Sequence, residues 1–392
     1  MITMTIFEMK NPIKNYAWGS RTFLSDLMNQ ATTSEPQAEL WMGVHPQGMS
    51  QVKTVSGWSS LASIISKEPE MVLGQSIAKK FDNQLPFLFK ILAIDQPLSI
   101  QAHPDQNQAI EGFNQENQLN IPLTASNRNF KDASPKPELV CALTPLWVMC
   151  GFRSFKAIQE NFAFLAAQSL FQQETTDNPL LSFFYHLMHQ DSDQTDILIQ
   201  SAVNYGKNRT EAHWHWVCKL ATLFSNDIGV LAPLFLNTIC LKPNESLFLS
   251  PGVLHAYLDG NAVEIMCNSD NVIRGGLTIK HIDIQALLDI VTYAPFEVNP
   301  MVATQDAQNM GWRYPASCDC FSLIRYDIKH NDKPLTISVD GPEILLCVRG
   351  TVDICYRDQK IVLHPGKSAF VSYSAKKYTI TGDGMVFKGT AV

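Results

Sequence analysis

The sequence predicts a mainly β protein with a helical module set into it. Polar and apolar residues alternate in Leu98–His103, the strand pattern runs through Thr238–Thr278, and alternation is clear again from Leu345, the period-two signature of half-buried strands. From about Arg153 to Asn237 glycine becomes scarce and apolar residues recur at helical spacing, as in FKAIQENFAFLAAQSLF, LLSFFYHLMHQ and AHWHWVCKLATLF. From roughly Met301 onward, short alternating segments are separated by turn residues, the pattern of a β sandwich or barrel.

A chain of 392 residues exceeds one ordinary domain. Its net charge is −7 with no basic block, which argues against a nucleic-acid partner. The N-terminus has no long apolar core and carries Glu8 early, so no signal peptide is expected. No apolar run approaches the roughly 18 residues of a membrane span. The nine cysteines include no CxxC pair, and most lie in apolar runs. They read as reduced and buried, in a cytoplasmic protein. Cys318 and Cys320 form a CxC.

In chain order, YAWGS (Tyr16–Ser20) and ELWMGVHPQGMS (Glu39–Ser50) mix aromatics with glycine turns, with Trp18 and Trp41 reading as core and His45 as a turn residue. Trp58–Phe81 reads as helix interrupted by Pro69. LPFLFKILAIDQPLSIQAHPD (Leu85–Asp105) begins as an apolar run holding Lys90 and ends as an alternating strand stopped by Pro104. Ser99, Gln101 and His103 would share one face of it. Asp105 is placed to cap a polar helix. Pro135 and Pro137 bracket Lys136, and Glu138 enters the apolar strand LVCAL. A carboxylate entering such a strand needs a partner or a metal. Within the helical module, His213 and His215 face apart, and His186 and His189 lack an acidic or cysteine partner, so all four read as structural. Beyond it, turns are expected at Pro251-Gly252 and after LHAYLDG, with His255 between them. Glu264 lies in the apolar strand AVEIM, and Asp270 and Arg274 in the loop before Gly275-Gly276, with Lys280 following. LHPGKSAFVSY repeats the layout of LSPGVLHAYL without the histidine, a hint of a duplicated jelly-roll plan with a metal-free second copy.

Gln101, His103, Glu138 and His255 stand out as unusual polar residues. Two imidazoles, one carboxylate and one amide oxygen suit a borderline divalent ion such as zinc. Donors converging from separate strands are the arrangement of jelly-roll interiors.

The strings YAWGS, LPFLFKILAIDQPLSIQAHPD, KPELVCALTP and SPGVLHAYLDG…VEIMCNSDNVIRGGLT resemble type I mannose-6-phosphate isomerases. The resemblance covers about residues 10–155 and 240–283. It implies a cupin core of residues 1–152 and 238–300, a helical insertion at 153–237 and a C-terminal jelly roll at 301–392. It also implies one zinc per chain on Gln101, His103, Glu138 and His255, and a catalytic arginine at Arg274. Lys90, Ser99 and Lys280 fall on phosphate-side positions. Trp18, Lys136, Tyr257, Glu264 and Asp270 match other pocket positions. The family's histidine before KPE is Pro135 here, so that proton carrier is missing.

The implied reaction moves a proton between C2 and C1 of a sugar phosphate through an enediol(ate). Arg274 would stabilise the developing charge, and Lys90 and Lys280 would hold the phosphate. Lys136, Glu264, Asp270 or a metal-bound water would take the proton, with the two acidic residues preferred. A non-catalytic sugar-phosphate sensor and a metal-dependent oxygenase are the alternatives. Gln101 and Lys90 argue against the oxygenase, and Arg274 with the full ligand set against the sensor. The expected partner is a small sugar phosphate, with no nucleic acid or membrane, and a monomer or weak homo-oligomer is expected.

Overall fold

A computed structural model describes residues 5–165, 167–171, 177–306, 310–330 and 332–392. It is mainly β, built on two large sheets. Residues 166 and 172–176 of the helical stretch lie outside the described residues.

The strand His255–Cys267 is central to the first sheet. Its C-terminal half is flanked by Phe87–Ile94 and Glu138–Ala142. Its N-terminal half is flanked by Ile100–Ala102 and Leu146–Phe152. The expected turn after LHAYLDG is absent, and the strand runs through it. Gly260 explains why. Its φ is +119°, the strand register shifts beside it, and a Cβ there would lie 2.2 Å from the Pro145 carbonyl oxygen. Glycine therefore bends the strand where any other residue would end it. The expected strand Leu98–His103 is also shorter, Ile100–Ala102, because Leu98 and Ser99 lie outside the ladder. Asp105 caps the helix Gln106–Gln118 with a reciprocal capping box to Gln108. The segment expected to be helical from Trp58 begins instead as the short strand Gly57–Ser60; Pro69 interrupts the rest as expected, and Gly74 divides it again, leaving short helices at Leu61–Lys67, Pro69–Leu73 and Gln75–Lys80.

The second sheet is built mostly from the C-terminal strands, with Glu343–Tyr356 and Lys377–Thr390 paired along most of their length. The first strand of the chain, Ile6–Lys10, also joins it, beside Ser368–Val371. Phe87, Phe89 and Ile265 of the first sheet share a core with Ile344, Leu346 and Phe387 of the second. One cysteine pair departs from the reduced state expected from sequence. Cys267 and Cys320 are disulfide-bonded, while the other seven are free. The partners lie 53 residues apart and meet only because the two sheets stack.

The helices Phe155–Phe162, Pro179–Met188, Ser192–Gly206 and Ala212–Leu223 turn their apolar faces inward, as their spacing predicts. They pack beneath the first sheet in a core with Phe152, Leu254, Ile273 and Leu277. Asp227 ties this module to the sheet, accepting from the backbone N–H groups of Gly229 (2.8 Å) and Thr278 (3.0 Å). Gly276 makes the close approach possible, because a Cβ there would lie 2.9 Å from the Gly229 Cα. No helix among the described residues is long and apolar enough to cross a membrane.

Candidate active site

His103, Glu138 and His255 meet on one face of the first sheet, all of them buried. His103 Nε2 lies 3.3 Å from Glu138 Oε1, and His255 Nε2 lies 3.4 Å from Glu138 Oε2. The other ring nitrogens are committed: His103 Nδ1–H donates to the Asn271 carbonyl at 2.7 Å, and His255 Nδ1–H to that of Val253 at 2.9 Å. That fixes both tautomers with Nε2 as a free lone pair aimed inward. His103 Nε2, His255 Nε2 and Glu138 Oε2 are buried without a hydrogen-bond partner. Orphaned buried acceptors are costly, and these converge on one point. They fit a divalent cation with mixed nitrogen and oxygen preference. Among the described residues, no other group of three His, Cys, Asp or Glu side chains converges in this way.

The protonation states agree with that fit. Burial, with help from Lys136, lowers the His103 pKa to about 4, so the ring is neutral at pH 7. Burial alone would favour a protonated Glu138. Lys136, with its Nζ 2.9 Å from Oε1, and the two imidazoles outweigh it and hold Glu138 well below the usual carboxylate range.

Gln101 stands directly opposite His255 on one side and Arg274 on the other. Directly opposed residues in antiparallel strands project to the same face. Gln101 therefore adds an amide beside His255, and Arg274 follows one strand further out, roughly 5 Å per strand. Arg274 is half-buried, and burial lowers its pKa from an ordinary value high enough that it stays a cation.

The bend at Gly260 brings a second row onto this face. His255 and Glu264 are an odd number of residues apart, which strict alternation would put on opposite faces. With the bend, the Tyr257 hydroxyl donates to Glu264 Oε1 at 3.0 Å. Trp41, Lys90 and Glu264 are directly opposed across adjacent strands. Lys90 Nζ lies 3.0 Å from Glu264 Oε2 and 3.9 Å from Glu39 Oε2, and the Trp41 indole N–H donates to Glu39. Burial disfavours the Lys90 charge, but Glu264, Glu39 and Glu138 outweigh it and raise its pKa. Burial raises the Glu264 pKa despite Lys90. Lys90 thus lies inside a buried carboxylate cluster.

At the mouth stand Asp270, Lys280 and Trp18. Asp270 Oδ1 lies 3.0 Å from His45 Nε2, and Oδ2 accepts from Gln47 Nε2 at 3.1 Å. Burial alone would raise the Asp270 pKa. The His45 hydrogen bond and the charges of Lys136 and Lys131 outweigh it and lower the pKa. Partial burial and the charges of Arg274 and Lys131 lower the pKa of exposed Lys280, so these cations share one electrostatic neighbourhood. Trp18 is half-buried, stacks on Tyr16 at 5.8 Å and packs on the cluster holding Leu98 and Tyr257. Ser99 is half-buried just before the Ile100–Ala102 strand.

Tyr16, Glu39, His45, Gln47, Lys131 and Asn271 also belong to the site but were missed in the sequence. Glu39 could have been found, since it enters an apolar strand as Glu138 does. Asn271 is fully buried. Its carbonyl holds His103, and its side-chain oxygen accepts from the Lys131 backbone N–H at 2.7 Å. His45 gave no local signal beyond its turn.

Comparison with known proteins agrees with this geometry. Residues 6–155 match the family described as phosphomannose isomerase type I, catalytic domain, and residues 312–388 match the mannose-6-phosphate isomerase cupin domain. The chain is 37% identical to a mannose-6-phosphate isomerase of Escherichia coli, over 96% of this chain and 97% of the relative. It is 32% identical to the human protein of that name, over 90% and 89% of the two chains. A solved zinc-bound mannose 6-phosphate isomerase superposes with a TM-score of 0.93 at 34% identity, over 99% of this chain and 100% of the other. The chain belongs to the type I mannose-6-phosphate isomerase family.

Proposed function

We propose that the chain is a zinc-dependent aldose–ketose isomerase interconverting mannose 6-phosphate and fructose 6-phosphate. The observation that carries this reading is the convergence of His103, Glu138 and His255 on one point, with Arg274 on the same face. Relatives across nearly the whole chain bear that activity's name, and the superposed structure holds zinc. Gln101, His103, Glu138 and His255 hold the ion. When bound, zinc supplies a Lewis acid that orients and polarises the sugar's hydroxyl and carbonyl oxygens.

The remaining steps belong to side chains. Arg274 faces the charge that develops on the enediolate oxygen and stabilises it. Lys280, with Lys131 and Arg274 nearby, holds the phosphate, whose two negative charges relieve their mutual repulsion. Lys90 neutralises Glu264 instead of binding phosphate, and together with Tyr257 it fixes that carboxylate in the pocket wall. Trp18 covers the apolar side of the mouth, and Ser99 borders the phosphate end. Lys136 keeps Glu138 ionised and stands ready to donate to a sugar oxygen.

For the proton transfer between C2 and C1, Asp270 is the better placed carboxylate. Its side chain is 33% exposed, whereas that of Glu264 is 4% exposed and salt-bridged to Lys90. Its lowered pKa keeps it ionised as an acceptor. Isomerisation in deuterated water tests the scheme. Solvent deuterium on C1 of fructose 6-phosphate shows transfer through a base that exchanges with water, because hydride transfer cannot introduce it.

A further inference from the structure

We infer that His45 is a positioning residue for the reaction, clamping Asp270 from behind through a hydrogen bond made by its Nε2–H. The inference rests on the reading of Asp270 as the proton acceptor. His45 is 3% exposed. Its tautomer is set by its own turn, because Nδ1 accepts the backbone N–H of Gln47 at 3.2 Å. The proton of the neutral ring is therefore on Nε2, 3.0 Å from Asp270 Oδ1.

The same turn supplies a second donor. Its closing bond runs from Gly48 N–H to the His45 carbonyl at 2.9 Å, and Gln47 Nε2 reaches Asp270 Oδ2 at 3.1 Å. One turn thus presents two parallel donors to one carboxylate, and the backbone N–H of Asp270 is held by Asp132 Oδ2 at 2.9 Å. The His45 ring is held in turn, edge-on to Trp41 with centroids 4.9 Å apart. Each Asp270 oxygen keeps one lone pair for the pocket, in a direction set by the clamp. A carboxylate held in this way can meet a carbon-bound hydrogen in line.

The charged and titratable groups around Asp270 are His45 on its turn, Lys131, Asp132 and Lys136 from the loop before the Glu138–Ala142 strand, and Tyr16 from the N-terminal segment. Of these, the His45 bond is the one that a single substitution removes without changing net charge.

The experiment compares His45→Phe, His45→Gln and Asp270→Asn as zinc-loaded full-length protein, with metal content and melting temperature recorded for each. Phenylalanine keeps the ring against Trp41 and loses the donor, whereas the glutamine amide can take the place of Nε2–H. His45→Phe is expected to lower kcat about tenfold while KM for mannose 6-phosphate stays within about twofold. The acidic limb of its kcat–pH profile should move to higher pH, because Asp270 loses a bond that favours its charged form. His45→Gln should recover most of kcat and return the limb. Unchanged kcat and pH limb in His45→Phe would overturn the inference. Equal defects in the phenylalanine and glutamine variants would overturn it too, because packing alone would then be the cause. Asp270→Asn separates the two levels. Wild-type turnover there removes the acceptor reading itself, whereas an inactive Asp270→Asn beside an unaffected His45→Phe removes only the clamp.

Discussion

Arg274 and His255 sit one strand to either side of Gln101 and fail differently when removed. Arg274→Ala is expected to keep its zinc and lose at least about 10²-fold in turnover, the usual cost of one charge-stabilising donor. Near-normal turnover in that variant would take Arg274 out of the chemistry. His255→Ala loses an orphaned Nε2 donor and should bind less than stoichiometric zinc, read by metal analysis after desalting. Lys90 tests a different claim. Lys90→Met leaves Glu264 buried without its partner and should cost about 3–5 kcal/mol in denaturant unfolding. The double variant with Glu264→Gln should cost clearly less than the sum of the single changes. The convergence of His103, Glu138 and His255 was legible in the sequence because carboxylates and imidazoles are rarely left unpartnered in apolar strands. The partner of Lys90 was not legible. Periodicity gives the face a side chain points to, and its neighbour there comes from a strand 174 residues away.

Among the elements, the bend in His255–Cys267 does the most for the site, because it brings Glu264 onto the face of Tyr257 and His255. The alternation on either side of it was readable, but a glycine after an aspartate reads as a turn. Only the close Pro145 carbonyl shows why the strand continues. Gly260→Ala is expected to be the most damaging single-methyl addition in this sheet, lowering both stability and turnover. A well-folded, active Gly260→Ala protein would show that the bend is dispensable. The helical insertion reaches the site through Asp227, whose carboxylate holds the turn beyond Gly276. Asp227→Ala leaves two backbone N–H groups without their acceptor and should destabilise by about 1–3 kcal/mol. It should also raise KM for the sugar phosphate more than it lowers kcat, since Lys280 lies just past Thr278. An unchanged KM would separate the insertion from substrate binding. Helical spacing and scarce glycine announced this module, but nothing local announced its contact with the site.

For the whole molecule, the mainly β organisation was legible from alternation and turn chemistry, and the stacking of the two sheets was not. That stacking brings Cys267 to Cys320, a pair invisible to any reading of spacing. Cys267 immediately precedes the loop that carries Asp270 and Asn271, so the bridge ties the site's mouth to the second sheet. Thiol titration of the unreduced, denatured protein should count seven free cysteines of nine. Reduction should lower stability by about 2–4 kcal/mol, whereas nine free thiols in the unreduced protein would remove the bridge. The central claim concerns the metal-bearing face itself: four donors hold one zinc, and turnover of mannose 6-phosphate depends on it. It is tested most directly by following that turnover in a coupled assay while zinc is removed by chelation and added back, with metal content measured on the same samples. Activity should fall with zinc and return with it at about one ion per chain. Undiminished turnover in metal-free protein would contradict the claim.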